Sequence, residues 1–281
     1  NLCPDTKQYE WLKEHNALMK HGNNVMTSTW PTNSGVGVYN PYSEEARDYY
    51  WKCLNEGITS KGIDAYWMDS SEPDHYENET DREITMNFEV GEDFTWRSVR
   101  NAFPLVHVEG VGTGDRKKRV MIMTRSGYPG QQRVGAGTWS GDVSATWDVL
   151  RKQIPTALNF SVCGIPSWNS DTGGFFGGNP GDPSYNELYA RWIQFSTFCA
   201  IMRSHGSGVD RAIYQFGTRG TPIFDNIDRY INLRYALLPY IYSTAHDVSS
   251  NDFTFMRALG LAYPADRQAV EVKDAFLFGR S

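Results

Sequence analysis

The chain has 281 residues, 40% of them hydrophobic, and a formal net charge of -6. That supplies apolar material for one large α/β domain or two smaller ones, and no apolar run is long enough to span a bilayer. The acidic balance argues against a nucleic-acid partner, and the one basic cluster, Arg116-Lys117-Lys118-Arg119, is short and reads as a solvated loop.

Helical spacing of Trp11, Leu12, Leu18 and Met19 predicts a helix from Tyr9 to His21, stopped by Gly22. A strand follows, Asn24 to Trp30, ended by Pro31. Ser43 as N-cap, with Glu44 and Glu45 in the first turn, opens a second helix to Leu54. Next comes Gly62 to Asp74, in which Ile63, Ala65, Trp67 and Asp69 alternate with Asp64, Tyr66, Met68 and Ser70. On a strand this spacing places Trp67 and Asp69 on one face. Pro73 cannot donate to a ladder, so Asp69 and Glu72 fall at the C-terminal end. The order strand, helix, strand indicates parallel βαβ units.

Residues 77–103 are irregular and polar, as expected of an insertion above strand ends. Gly110 to Gly114 reads as a turn, not as a dinucleotide loop, because it precedes a strand instead of following one. That strand is Arg119 to Ser126. A helix from Thr146 to Gln153 leads through Pro155 to a strand from Asn159 to Gly164. After the glycine-rich loop Asp171 to Gly181 come a helix at Tyr185 to Phe198, the segment Ala200 to His205, and a long helix from Ile227 to Val248 that Pro239 is expected to kink.

Four strands in this reading share an apolar body and a polar or aromatic residue at the C-terminal end: Trp30, Asp69, Arg125 and His205. That repetition is the signature of an α/β fold of the (β/α)8 barrel type, with an open doubly wound sheet as the alternative. Fewer than eight strands are countable, and the ends look cut, so the barrel is expected to be incomplete at its N-terminal side. Residues 1–250 are assigned to it, and residues 251–281 to its end and the start of a truncated C-terminal β domain.

Chemistry is suggested by three acidic stretches. Besides Asp69, Trp139-Ser140-Gly141-Asp142 and Trp168-Asn169-Ser170-Asp171-Thr172-Gly173-Gly174 each set a carboxylate near a tryptophan and glycines, where backbone can approach a ligand closely. Two carboxyls held in different protonation states are what glycoside hydrolysis requires. The 9 Trp, 16 Tyr and 14 Phe suit a sugar-binding cleft, and equally a large core. The four cysteines and six histidines have no metal-ligand spacing, so neither a metal nor another cofactor is expected.

Together the motifs Trp67-Met68-Asp69 with Glu72-Pro73, Thr138 to Asp142, Gly164-Ile165-Pro166-Ser167-Trp168, Asp171-Thr172-Gly173-Gly174-Phe175, Arg203-Ser204-His205-Gly206 and Leu233-Arg234-Tyr235 resemble glycoside hydrolase family 31, the retaining α-glucosidase and α-xylosidase family. The resemblance implies Asp69 as nucleophile and Asp142 as general acid/base. Arg125 would keep Asp69 ionised, and partial desolvation beside Trp139 would let Asp142 hold a proton. It further implies that Arg125, Trp139, Asp171 and His205 line the subsite that holds the sugar, with Glu72 behind them. Trp67 is counted among the sugar-binding residues, and Trp30, at the end of its strand, is read as a stacking platform for the sugar or as part of the core. The expected partner is an α-linked oligosaccharide or glycoside. Ser70-Ser71 stands where many members carry Met-Asn, which leans toward the α-xylosidase type. An α-glucosidase, a transglucosylase or a catalytically silent carbohydrate-binding homologue stay open as alternatives.

Overall fold

Parallel strand pairs joined through helices carry the fold, and they occur in both units into which the chain divides, Asn1–Ala136 and Gly137–Ser281. The computed structural model describes residues 2–28, 30–31, 33–72, 89–90, 94–114 and 119–280. Pro73, Asp74, Arg116 to Lys118 and most of the expected insertion lie outside them.

In the first unit, α1 (Lys7–Glu14) is capped by Thr6, whose hydroxyl accepts from the Tyr9 N–H. It ends seven residues before His21, because Asn16 adopts a left-handed backbone (φ 55°), which Asn tolerates and which stops a helix. Leu18 and Met19 therefore enter the core from extended chain, with the Met19 N–H donating to Val38 O. Gly22 serves as a turn residue between β1 (Lys20–His21) and β2 (Asn24–Val25), an antiparallel pair. The expected parallel strand to Trp30 is thus a hairpin arm, and Trp30 lies in the turn beyond it, 66% exposed.

Ser43 caps α2 (Glu44–Gly57) as its sequence indicates. Beyond it β3 (Ala65–Met68) runs parallel to β4 (Met121–Thr124), with Trp67 opposite Met123 and Met68 opposite Thr124. The short helix α3 (Trp96–Val99) and then α4 (Phe103–Gly112) lie between them, where the sequence suggested an irregular stretch and a glycine turn. The glycines of α4 serve packing: a Cβ on Gly110 would stand 3.1 Å from the Arg47 side chain, and one on Gly112 only 2.5 Å from Val134. Tyr66, Met68 and Ile122 pack on Val108 and Val111 of α4, with Trp51 and Leu54 of α2 at the edge of the cluster. Even residues of β3 thereby face the helices, and odd ones face away from them.

The second unit repeats the pattern. β5 (Ala136–Trp139) pairs in parallel with β6 (Trp168–Asn169), and α5 (Trp147–Val162) connects them. The strand expected at Asn159 to Gly164 is the last part of α5, which continues past Pro155. Ile154, Ala157 and Leu158 recur at helical spacing and bury against Trp168, Cys199 and Ile241, and that burial outweighs the hydrogen bond lost at proline. α6 (Pro183–Thr197) is capped by Asp182. In the segment Ala200 to His205 the chain bends at Ala200 and Ile201, and Ser204 makes one parallel bridge with Thr172.

Proline breaks the long helix outright. α7 (Pro222–Ala236) and α8 (Leu238–Ser250) meet at Leu237, and Pro239 stands in the first turn of α8, where its missing N–H costs no hydrogen bond. The antiparallel pair β7 (Met256–Ala258) and β8 (Phe276–Phe278) joins the Trp168 cluster through Met256 and Phe278. Between them run α9 (Leu259–Ala262) and α10 (Arg267–Glu271).

Candidate active site

In the first unit the pleat dictates the site. With Tyr66 and Met68 facing helices, Trp67 and Asp69 share the opposite face, and the β3–β4 register brings Arg125 level with Asp69. The Arg125 N–H donates to Met68 O at 3.1 Å, and the guanidinium reaches Asp69 Oδ1 from Nη1 at 3.2 Å. Its Nη2 binds Glu72, which also accepts from the Ser126 hydroxyl. Arg125 is 15% exposed and the two carboxylates 40% and 38%, so a mostly buried cation is gripped by two half-exposed anions.

Asp69 and Ser70 line a cavity of about 390 Å³ together with Trp30, Tyr39 and His107. Tyr39 Oη lies 2.6 Å from His107 Nδ1. Burial lowers the His107 pKa to about 3, holds Tyr39 well above the usual phenol range and raises Tyr50, another lining residue, to about 12. These three groups are neutral near pH 7, so Asp69 supplies the negative charge on the cavity wall. Trp67, on the same strand face as Asp69, is 49% exposed.

In the second unit Trp139 stands opposite Asn169, while Thr138 pairs with Trp168, which faces the helices. Alternation then turns Trp139 and Asn169 to the other side. Trp139 is buried, with the Arg203 guanidinium 5.3 Å from its ring centre. Arg203 also donates to Asp171 Oδ1. Asp171 is fully buried, and among the described residues its Oδ2 has no hydrogen-bond partner. Burial pushes its carboxyl up to about 6; Arg203 works against that rise and neighbouring Asp142 adds to it. Asp142 itself is exposed, just after Gly141 in a left-handed turn (φ 74°). Desolvation, expected on Asp142, thus falls on Asp171. The His205 ring is half-buried, 5.5 Å from the ring of Phe175.

The sequence assigns no role to Arg211, nor to Arg203 beyond its place in a motif. Arg203 was legible, since on an extended segment it alternates onto the same side as His205. Arg211 is 7% exposed and donates to the carbonyls of Val209, Phe175 and Gly177, which shapes the glycine-rich loop; only the fold shows this. Among the described residues no three His, Cys, Asp or Glu side chains gather as a metal site needs.

The description "Glycosyl hydrolases family 31 TIM-barrel domain" matches residues 2–244. The chain belongs to glycosyl hydrolase family 31. It is 41% identical over 255 residues to an alpha-xylosidase of Saccharolobus solfataricus, covering 87% of this chain and 33% of that protein. To alpha-glucosidase 2 of Bacillus thermoamyloliquefaciens it is 29% identical over 289 residues, covering 98% and 35%. The crystal structure of a family 31 alpha-xylosidase from Xanthomonas citri superposes with a TM-score of 0.90 at 37% identity, covering 99% of this chain and 31% of that one. The chain therefore spans about a third of the length of these relatives. Its fold is that of the family's (β/α)8 barrel.

Proposed function

We propose that the protein containing this chain is a retaining α-glycoside hydrolase that removes a terminal α-linked sugar, with α-xylosides as the favoured substrates. The observation that carries this reading is Asp69 at the end of β3, bound to Arg125 and lining a cavity beside Trp30 in a family 31 chain. Asp69 attacks the anomeric carbon while Asp142 protonates the leaving oxygen; Asp142 then takes a proton from the water that releases the sugar. Arg125 steadies the Asp69 carboxylate. Trp30, Trp67, Trp139, Asp171 and His205 hold the sugar, by ring stacking or by hydrogen bonds to its hydroxyls. Residues 1–250 form the barrel portion in this reading, and residues 251–281 lead into a following β domain.

Trapping the full-length enzyme with 5-fluoro-α-xylosyl fluoride and mapping the labelled peptide tests the nucleophile; a label anywhere but on the Asp69 peptide refutes it. A second reading, α-glucosidase, draws support from the relatives of that name. Turnover of p-nitrophenyl α-xyloside against α-glucoside separates the two, because a pocket closed to the C6 hydroxymethyl group rejects glucose. A transglucosylase would use the same residues with a sugar acceptor, and a silent binding homologue would bind without turnover.

A further inference from the structure

We infer that Ser71 is a positioning residue for Asp69: its hydroxyl ties the turn after Asp69 to the end of β4, and so fixes where the carboxylate stands against Arg125. The inference rests on the reading of Asp69 as nucleophile. Upstream, Asp69 is held by the strand ladder, where Met68 is paired with Thr124 and its carbonyl accepts from the Arg125 N–H. Downstream, the chain leaves the strand through Ser70, which has a left-handed backbone (φ 52°) uncommon for a residue with a side chain. A turn of that kind persists only when its surroundings hold it.

Ser71 does the holding. It is fully buried, its Oγ lies 2.6 Å from Thr124 Oγ1, and it accepts the Ser126 N–H at 3.1 Å. One hydroxyl therefore joins Thr124, the last residue of β4, and Ser126 just beyond the strand, the two residues that flank Arg125 in sequence. The next residue, Glu72, then meets both the Arg125 guanidinium and the Ser126 hydroxyl. Alanine at 71 would leave the Ser126 N–H without its acceptor and the turn free to relax. Glu72 and Arg125 would move with it, and Asp69 would lose its fixed approach while keeping its chemistry.

The test uses the full-length enzyme with Ser71→Ala, Thr124→Val and the double variant. Active sites are counted by covalent labelling with the fluoro-xylosyl fluoride, and kcat and KM for p-nitrophenyl α-xyloside are expressed per labelled site. Each single variant should lower kcat per labelled site roughly 10- to 100-fold, with KM changed less than about threefold. The double variant should do no worse than the poorer single one, because both remove the same link. Unchanged kcat per labelled site in Ser71→Ala overturns the inference, even with a lowered melting temperature, since the serine would then only stabilise the fold. Should that variant give no labelled sites, Thr124→Val, which keeps the side-chain volume, decides by the same criterion. A wild-type label off the Asp69 peptide would instead remove the nucleophile assignment on which the inference rests.

Discussion

Replacing Arg203 by Met should raise the pKa of Asp171. In the native protein burial drives that carboxyl from 3.8 to about 6, with Arg203 opposing the rise through its charge and its hydrogen bond. An adjacent Arg typically depresses a carboxyl by about one to three pH units, so Arg203→Met should move Asp171 to roughly 7–9. The native displacement already has a consequence for stability. Between 3.8 and about 6 the folded state holds a proton that the unfolded state has released, so stability falls as pH rises through this window. Above it, burying the charge costs about 3 kcal/mol, at 1.36 kcal/mol per pH unit. In Arg203→Met the falling limb should extend to higher pH and deepen by about 1.4–4 kcal/mol. The assay is a pH titration of ¹³C-labelled aspartate carboxyls, with Asp171→Asn identifying the resonance. A midpoint in Arg203→Met at or below the native one would refute the reasoning, because it would mean that the guanidinium is not what keeps Asp171 partly ionised.

Three further outcomes are expected. Trp30→Ala should raise KM for an aryl α-xyloside several-fold and leave the melting temperature within about 2 °C, because the ring is exposed and contributes little to the core. Gly173→Ala should destabilise the second unit by more than about 2 kcal/mol in denaturant titrations, since Gly173 has φ 90° and a Cβ there would lie 2.5 Å from the Tyr189 ring. Arg234→Met should cost about 2–4 kcal/mol, read as a lower denaturation midpoint, because one guanidinium donates to the carbonyls of Thr197, Cys199 and Ala200 at the end of α6.

What the sequence disclosed depended on whether the signal was local. Alternation in Tyr66 to Asp69 needs only the pleat, and it placed Asp69 on the face where Arg125 also lies. The Ser43 cap is likewise local and marked α2 correctly. The failures arose where tertiary packing decided. Glycines in α4 looked like a turn because their close neighbours, Arg47 and Val134, are distant in sequence. Pro155 looked like a stop because the partners that bury the later part of α5 come from β6 and α8. Within the candidate site, motifs marked Asp171, but its burial and its contact with Arg203 required the fold. The α1 boundary is different, since Asn16 was a local signal that the apolar spacing of Leu18 and Met19 overrode.

The two-sided grip on Arg125 bears on the covalent step of the proposed reaction. When Asp69 bonds to the sugar it becomes a neutral ester, and its counter-ion would be left in a mostly buried position without an anion. Glu72 prevents that. It binds the other amino group of the same guanidinium and takes no part in the bond change, so Arg125 keeps a carboxylate throughout the lifetime of the intermediate. Glu72 then acts as a standing counter-charge: it makes the loss of the Asp69 charge tolerable and its return, on hydrolysis, less steeply downhill.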